Sequence, residues 1–291
     1  MSAAHAARTA VQETGRVLRV GRAGEYHELT VVAPRIAELV EPGQFVQARV
    51  SVPGAFLLRR PFSVHQADRS RAGHGTVSIV FEVIGPGTAA LAGARTHDHL
   101  DLVGPLGTAW TAPPEPAPCL LVGGGYGAAP LFLLAERLRA AGCRVDMVLG
   151  AATAARLLKP TDAKRHVASL TLATDDGSTG TRGQVTDVLG PPSPALARVE
   201  AGGGVVYACG PMPMLAAVAR AAGAAGVPCQ VAVEERMACG TGICFSCVVP
   251  TIGGAMARSC TDGPVFDGAA IAWAELGLAG HQTPGREELV P

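Results

Sequence analysis

The sequence predicts an N-terminal antiparallel β-barrel, then a doubly wound α/β nucleotide-binding domain, then a small cysteine-bearing loop segment at the C-terminal end. Three observations predict it. Residues 12–110 carry short alternating segments punctuated by Gly and Pro, the pattern of a small barrel. Four prolines crowd into Thr111-Ala112-Pro113-Pro114-Glu115-Pro116-Ala117-Pro118, which reads as a linker. Beyond it, apolar strands alternate with helical stretches, the signature of a parallel sheet. The expected ranges are 12–112, 117–228 and 229–275.

In the barrel half, Phe45–Val50 and Val77–Val83 alternate with period 2, as half-buried strands do. Turns are expected at Glu41-Pro42-Gly43, Val52-Pro53-Gly54 and Gly85-Pro86-Gly87. The run Arg59-Arg60-Pro61-Phe62-Ser63 suits a ligand site. Arginine pairs with phosphate, an aromatic lies against a ring, and a Ser hydroxyl bonds a heteroatom. The same residues also read as an edge strand with a cationic end. Gly87 and Thr88 belong either to a plain turn or to a backbone nest for a diphosphate. Thr96-His97-Asp98-His99 reads as a solvated turn rather than a metal site.

In the second half, Cys119–Val122 runs into Gly123-Gly124-Gly125-Tyr126-Gly127, and a helix follows with Leu131, Leu134, Ala135 and Leu138 on one face. Pro130 fits its first turn. A strand–glycine–helix junction lets backbone N–H groups and the helix dipole meet a pyrophosphate. The spacing is not G-x-G-x-x-G, so a simple tight turn remains the competing reading. Further strands are expected at Val145–Leu149, Ala168–Ala173, Val205–Ala208 and Val231–Val233. Cys209-Gly210-Pro211 ends one of them, where open α/β sheets bind ligands. Cys209 either faces a nicotinamide ring or is a buried thiol; Cys119, Cys143 and Cys229 read as core or surface thiols.

The tail is the most specific part. Cys239-x4-Cys244-x2-Cys247-x12-Cys260 has the plant-type [2Fe–2S] ligand spacing. Gly240 and Gly242 give the loop the positive φ angles and close approach that wrapping a cluster needs. A zinc site would more commonly use two short C-x2–4-C knuckles, and only one is present; a disulfide pair is the other alternative.

Bulk properties narrow the field. Twenty-four basic and twenty-four acidic residues in 291 leave no net charge to attract nucleic acid or an acidic membrane. No apolar run approaches the ~20 residues that span a bilayer. Met1–Val11 is Ala-rich with Arg8 but lacks the apolar core of a signal peptide. Clustered cysteines point to metal in a reducing compartment, hence the cytoplasm. Aromatics make up only 4%, so one beside a proposed cofactor carries weight. No Ser–His–Asp or Cys–His set stands out, and no catalytic acid or base is assigned.

Taken in order, the Arg-Pro-Phe-Ser run, the Gly-rich turn, the Cys-Gly-Pro strand end and the cysteine loop resemble the ferredoxin–NADP reductase superfamily. The closest resemblance is to the electron-transfer subunits of class B dihydroorotate dehydrogenases. Gly104-Pro105-Leu106-Gly107, Ala173-Thr174-Asp175-Asp176-Gly177-Ser178 and Cys260-Thr261-Asp262-Gly263-Pro264-Val265-Phe266 support the narrower match, which covers residues 14–273. The resemblance implies FAD in the barrel domain, held by Arg60, Pro61, Phe62, Ser63, Val80, Phe81 and Glu82, with Gly87 and Thr88 at its diphosphate. It implies NAD in the α/β domain, at Gly123, Gly124, Gly125, Gly127, Asp175, Cys209, Gly210 and Pro211. Asp175 and Asp176 would repel the 2′-phosphate of NADP, and no arginine pair is seen to bind one. The implied partner is an FMN-containing catalytic subunit that oxidises dihydroorotate, in a heterotetramer with two copies of each chain. Electrons would run through [2Fe–2S] and FAD to NAD⁺, in pyrimidine (UMP) biosynthesis. The alternatives are an NAD(P)H–ferredoxin-type reductase subunit of another redox complex, or a zinc-stabilised module without flavin.

Overall fold

The computed structural model describes residues 10–50, 57–70, 73–190 and 193–278. The expected turn Val52-Pro53-Gly54, and residues 1–9 of the Ala-rich start, lie outside the described residues.

Six strands close the barrel: β1 (Val11–Ala23), β2 (Tyr26–Val32), β3 (Phe45–Ala48), β4 (Arg60–Asp68), β5 (Thr76–Phe81) and β6 (His99–Leu106). They run in the order β1-β2-β5-β4-β3-β6, every pair antiparallel, with β6 returning to β1. Alternate residues point inward, so Leu29, Val31, Val46, Val64, Val77, Ile79 and Leu102 fill one apolar interior. Helix α1 (Pro34–Leu39) adds Ile36 and Ala37 to that core. Helix α2 (Pro86–Ala92) follows the turn after β5, and Leu91 anchors it.

The Pro-rich stretch leads without regular structure into β7 (Pro118–Gly124). A single 3-10 turn (Gly125–Ala128) leads into helix α3 (Ala129–Ala140), then β8 (Arg144–Ala151), α4 (Pro160–His166), β9 (Ser169–Thr174) and the short β10 (Thr181–Arg182). Next come α5 (Val185–Leu189), α6 (Pro194–Ala201), β11 (Val205–Cys209), α7 (Met212–Ala224) and β12 (Cys229–Ala232). The hairpin β13 (Val248–Pro250) and β14 (Met256–Arg258) and the strand β15 (Val265–Asp267) are the last of the described elements. The sheet order is β10-β9-β8-β7-β11-β12-β15, parallel except for β15.

Both faces of this sheet are covered, which is why its strands read as unbroken apolar runs. Cys119 and Leu121 pack with Leu131, Leu134 and Leu138 of α3. Leu120 and Val122 pack on the other side with Val185, Val199, Leu215 and Val218 from α5, α6 and α7. The strand order reverses between β7 and β11, and a crevice opens beyond the carboxyl ends of such neighbours. The range 229–275 begins with β12, a full member of the sheet, and β15 hydrogen-bonds alongside it.

Barrel and sheet meet along β4 and α3. The buried His65 ring lies 4.8 Å from Phe132, edge to face, and its Nδ1 is 2.7 Å from the Ala129 carbonyl oxygen. Lys159 Nζ donates to Glu28 Oε1 at 2.7 Å across the same junction. Desolvation pushes the His65 pKa down to about 4, with the Lys159 charge adding to it. The ring is therefore neutral, and Nδ1–H donates to Ala129.

Candidate functional site

Two cavities share one wall. The larger, of 830 Å³, opens between the barrel and the start of α3. Arg60, Pro61, Phe62 and Ser63 reach it from β4, and Val80, Phe81 and Glu82 from the end of β5. Strand pairing explains this grouping: β4 and β5 are neighbours, so two runs about twenty residues apart in sequence converge. Phe62 and Phe81 pack with ring centroids 5.4 Å apart. Thr88 lines the same cavity, and its Oγ1 accepts from the Ile84 and Gly85 N–H groups at 3.0 and 3.3 Å, fixing the start of α2. Gly87 sits under the Arg60 guanidinium, where a Cβ would stand 2.8 Å from Nε. A side chain there would push Arg60 off.

The smaller cavity, of 660 Å³, is the crevice at the sheet's reversal point. Gly124, Gly125, Gly127, Gly210 and Pro211 line it, and so does Asp175. The glycines at the ends of β7 and β11 are required by mutual approach. A Cβ on Gly127 would stand 2.7 Å from Gly210 Cα, and one on Gly210, at φ +157°, would stand 3.0 Å from Gly124 N. Gly123 stands apart from this group: within β7, a Cβ there would meet Ala128 Cβ at 2.6 Å, so its small size serves the packing of strand against helix. Cys209 faces the larger cavity, not the smaller one, and burial drives its thiol pKa up, so it stays protonated.

Tyr126, Gly127 and Glu234 line both cavities. Tyr126 donates to Glu234 Oε1 at 3.1 Å and packs edge-on against Tyr26 at 5.7 Å. Behind them Arg156 donates to both Glu82 carboxylate oxygens at 2.7 and 2.8 Å and lies over the Tyr26 ring. The acidity of Glu82 at the cavity mouth is thereby matched. Burial raises the Asp175 pKa, and the Asp176 and Asp187 carboxylates add to it. Asp187, on α5, shares the cleft with Asp175. Arg156 and Arg220 also line it, contrary to the expectation of no arginine pair, but both are engaged: Arg156 by Glu82, Arg220 by the Leu278 carbonyl at 3.0 Å.

The cysteine loop packs against the barrel. Cys247 and Cys260 are buried with Phe45, while Cys244 is exposed and Cys239 half-buried. Cys239 neighbours Cys244 and Cys247 neighbours Cys260, with Cys239 near enough to Cys260 for their charges to interact. Four such thiolates are the donor set that a [2Fe–2S] cluster takes. Burial pushes Cys239 up, but the Thr241 and Cys244 backbone N–H groups outweigh it and leave the thiol at about 6. Burial and the nearby Cys247 push Cys260 up to about 12. Gly240 and Gly242 have φ of +70° and +83°. The return segment is tied down where Thr108 N donates to the Gly263 carbonyl at 2.6 Å. Arg258 Nη1 donates to the Gly242 carbonyl at 3.3 Å, and its guanidinium lies over Phe245 at 5.4 Å. His97 lies in an exposed turn, bonded to Arg16 at 3.0 Å, away from the cysteines in sequence and contact.

Sequence reasoning missed Tyr126, Arg156, Asp187 and Glu234. Tyr126 was findable, as a rare aromatic inside the Gly-rich turn. The other three arrive from separate segments only when the sheet assembles.

Comparison with known proteins bears on the family and the fold. The family model for the iron–sulfur cluster binding domain of dihydroorotate dehydrogenase B matches residues 234–272. The electron transfer subunit of dihydroorotate dehydrogenase B (NAD(+)) from Geobacillus kaustophilus is 40% identical over 248 residues, 82% of this chain and 90% of that one. Its counterpart from Desulforamulus reducens is 36% identical over 244 residues, 83% of this chain and 90% of that one. Among solved structures, an NADH-dependent reduced ferredoxin–NADP oxidoreductase superposes with TM-score 0.77 at 30% identity, covering 93% of this chain and 94% of that one. A ferredoxin NADP+ reductase from Neisseria gonorrhoeae shares the fold, with TM-score 0.58 at 16% identity over 74% of this chain and 92% of that one. The chain belongs to the family of dihydroorotate dehydrogenase B (NAD(+)) electron transfer subunits.

Proposed function

We propose that this chain carries electrons from a dihydroorotate-oxidising catalytic subunit to NAD⁺, in pyrimidine (UMP) biosynthesis. The observation that carries the reading is contiguity. Phe45 lines the larger cavity and packs on Cys247 and Cys260, while Tyr126, Gly127 and Glu234 join that cavity to the smaller one. Cluster site, flavin site and nicotinamide site thus form one uninterrupted row. When bound there, [2Fe–2S] supplies single-electron transfer, FAD converts single electrons to pairs, and NAD⁺ takes the pair as hydride.

The chain's own residues bind and orient. Arg60 pairs with the FAD phosphate over Gly87 and Thr88, while Pro61, Phe62, Ser63, Val80 and Phe81 hold its ring. Glu82, tied to Arg156, orients that wall rather than facing the ligand as a free charge. Gly124, Gly125 and Gly127 bring backbone N–H groups to the NAD pyrophosphate, with Gly210 and Pro211 opposite, and Cys209 stands where the nicotinamide meets the flavin. Asp175, with Asp187, turns away a 2′-phosphate. A tenfold preference for NADPH in stopped-flow flavin reduction would refute that assignment. Cys239, Cys244, Cys247 and Cys260 hold the cluster. We assign 12–112 to FAD, 117–228 to NAD and 229–275 to the cluster, with β12 and β15 shared between the last two.

Ile243 and Phe245, 79% and 60% exposed, flank the exposed Cys244 and supply an apolar docking face for the catalytic subunit. We infer an FMN-containing partner and a heterotetramer with two copies of each chain. No described helix is long and apolar enough to cross a membrane. The clustering of Cys239, Cys244 and Cys247, read as metal ligands, supports a cytoplasmic setting.

Anaerobic purification and a visible spectrum before and after NADH test the reading. Flavin bands with a broad iron–sulfur shoulder that bleach on NADH addition support it; a featureless spectrum from zinc-bearing protein overturns it. Replacing Cys244 with Ser leaves FAD and its reduction by NADH intact and blocks transfer from the partner. Loss of FAD from that variant would count against the separation of the two sites. The overlap with the ferredoxin–NADP oxidoreductase structure favours one second reading, a reductase subunit for ferredoxin. Co-purification with a dihydroorotate-oxidising subunit decides between them.

A further inference from the structure

Gln47 lies on β3, opposite Pro61 of β4, and is 1% exposed. Its carboxamide rests against Gly240, the residue after Cys239: a Cβ on Gly240 would stand 2.4 Å from Gln47 Nε2 and 3.0 Å from Cδ. Neither Nε2 nor Oε1 has a hydrogen-bond partner among the described residues. Seven buried side-chain polar atoms share that condition, and four of them belong to Gln47, Ser259 and Thr261. Those three residues surround the cysteine segment: Ser259 and Thr261 flank Cys260, and Thr261 also abuts Gly242. A buried amide without a partner forfeits the hydrogen bonds it would make in water, so a glutamine at a barrel position that would suit Leu or Val calls for an acceptor. No cysteine sulfur among the described residues accepts from it, so the acceptors this segment would bring to it are the cluster's own sulfides.

We propose that the Gln47 side-chain amide donates a hydrogen bond to a sulfur of the cluster site and raises the cluster's reduction potential. This rests on the assignment of [2Fe–2S] to Cys239, Cys244, Cys247 and Cys260. Reduction adds negative charge to the sulfurs, so an N–H aimed at one stabilises the reduced form more than the oxidised form. The donor comes from the flavin barrel and not from the cysteine loop. The potential of the cluster is therefore set in part by the domain that exchanges electrons with it. Gln47 is a positioning and tuning residue and takes no part in bond making.

The test uses the full chain, purified anaerobically with both cofactors. Gln47→Met keeps the volume and removes the donor. An EPR-monitored redox titration should show its cluster midpoint shifted to lower potential, with iron, sulfide and FAD contents unchanged. Pulsed EPR on the reduced wild-type chain carrying 15N-labelled glutamine side chains should show a 15N hyperfine coupling. An unchanged midpoint at full cluster content, or no 15N coupling in the wild type, overturns the proposal. Should Gln47→Met fail to fold or to hold its cluster, the wild-type coupling decides alone. A wild-type chain with no [2Fe–2S] signal overturns the cluster assignment, and the proposal with it.

Discussion

The two cavities are walled by different means. The larger is walled by side chains: a guanidinium from Arg60, aromatic rings from Phe62 and Phe81, a hydroxyl from Ser63. The smaller sets bare backbone, at Gly124, Gly125, Gly127, Gly150 and Gly210, among side chains such as Asp175, Arg156 and Met214. A barrel is rigid and closed, so its inner and rim side chains sit at fixed positions and specific atoms can be aimed. A sheet's reversal point offers oriented N–H groups instead, provided nothing stands in front of them. The first site is damaged by removing atoms and the second by adding them.

The junction between barrel and sheet gives the largest expected effect. His65 has a folded pKa of about 4, below the ~6.5 of an unfolded chain. Between those values the unfolded state binds more protons, so stability is lost as pH falls from 6.5 towards 4 and the loss levels off below. The span corresponds to about 3 kcal/mol. His65→Gln can keep a donor to the Ala129 carbonyl and cannot titrate. Urea unfolding at pH 7 and at pH 4.5 should show an acid-side loss smaller in the variant by up to about 3 kcal/mol. Identical slopes would show that the junction does not sense acid through this ring.

Removing atoms from the side-chain site comes next. Arg60→Ala deletes a charge-assisted contact, for which about 2 kcal/mol, or roughly 30-fold weaker FAD binding, is expected. FAD retention on desalting and fluorescence titration measure it. NADH affinity of the flavin-depleted variant should be unchanged, and a parallel loss there would break the division between the sites. Adding atoms to the backbone site should do the converse. Gly210→Ala puts a Cβ 2.7 Å from Met214 Cε on a backbone at φ +157°. About 1–2 kcal/mol is expected, read as roughly tenfold weaker NADH binding by calorimetry with FAD content intact.

The same contrast explains what could be read from the chain. The Arg60–Ser63 run, the cysteine spacing, and strands such as Val77–Val83, which ends at Phe81 in the structure, announce themselves through residue type and period 2 or 3.6. The backbone site does not: glycines of one kind in sequence serve two ends in space. Gly127 faces Gly210 across the crevice, whereas Gly123, four residues earlier, packs β7 on α3. Only the pairing of β7 with β11, eighty-odd residues apart, distinguishes them. Cys209 was divided from Gly210 for a related reason, since adjacent strand-end residues point to opposite sides. Arg156 and Glu234 left no local signal because their partners, Glu82 and Tyr126, lie over seventy and over a hundred residues away.

The smallest effect is expected where the two sites touch. Tyr126 belongs to both walls, and its hydroxyl donates to Glu234 at 3.1 Å. Burial raises its pKa, with the Glu234 charge adding to the shift, so the phenol is neutral and the bond is made throughout the working pH range. Tyr126→Phe keeps the ring against Tyr26 and leaves Glu234 with access to water. A net loss near 1 kcal/mol or less follows, about fivefold at most in either ligand's affinity. Because the ring is shared, FAD and NADH titrations should weaken together, unlike the one-sided losses expected of Arg60→Ala and Gly210→Ala. A loss confined to one ligand would move the boundary between the cavities to the far side of Tyr126.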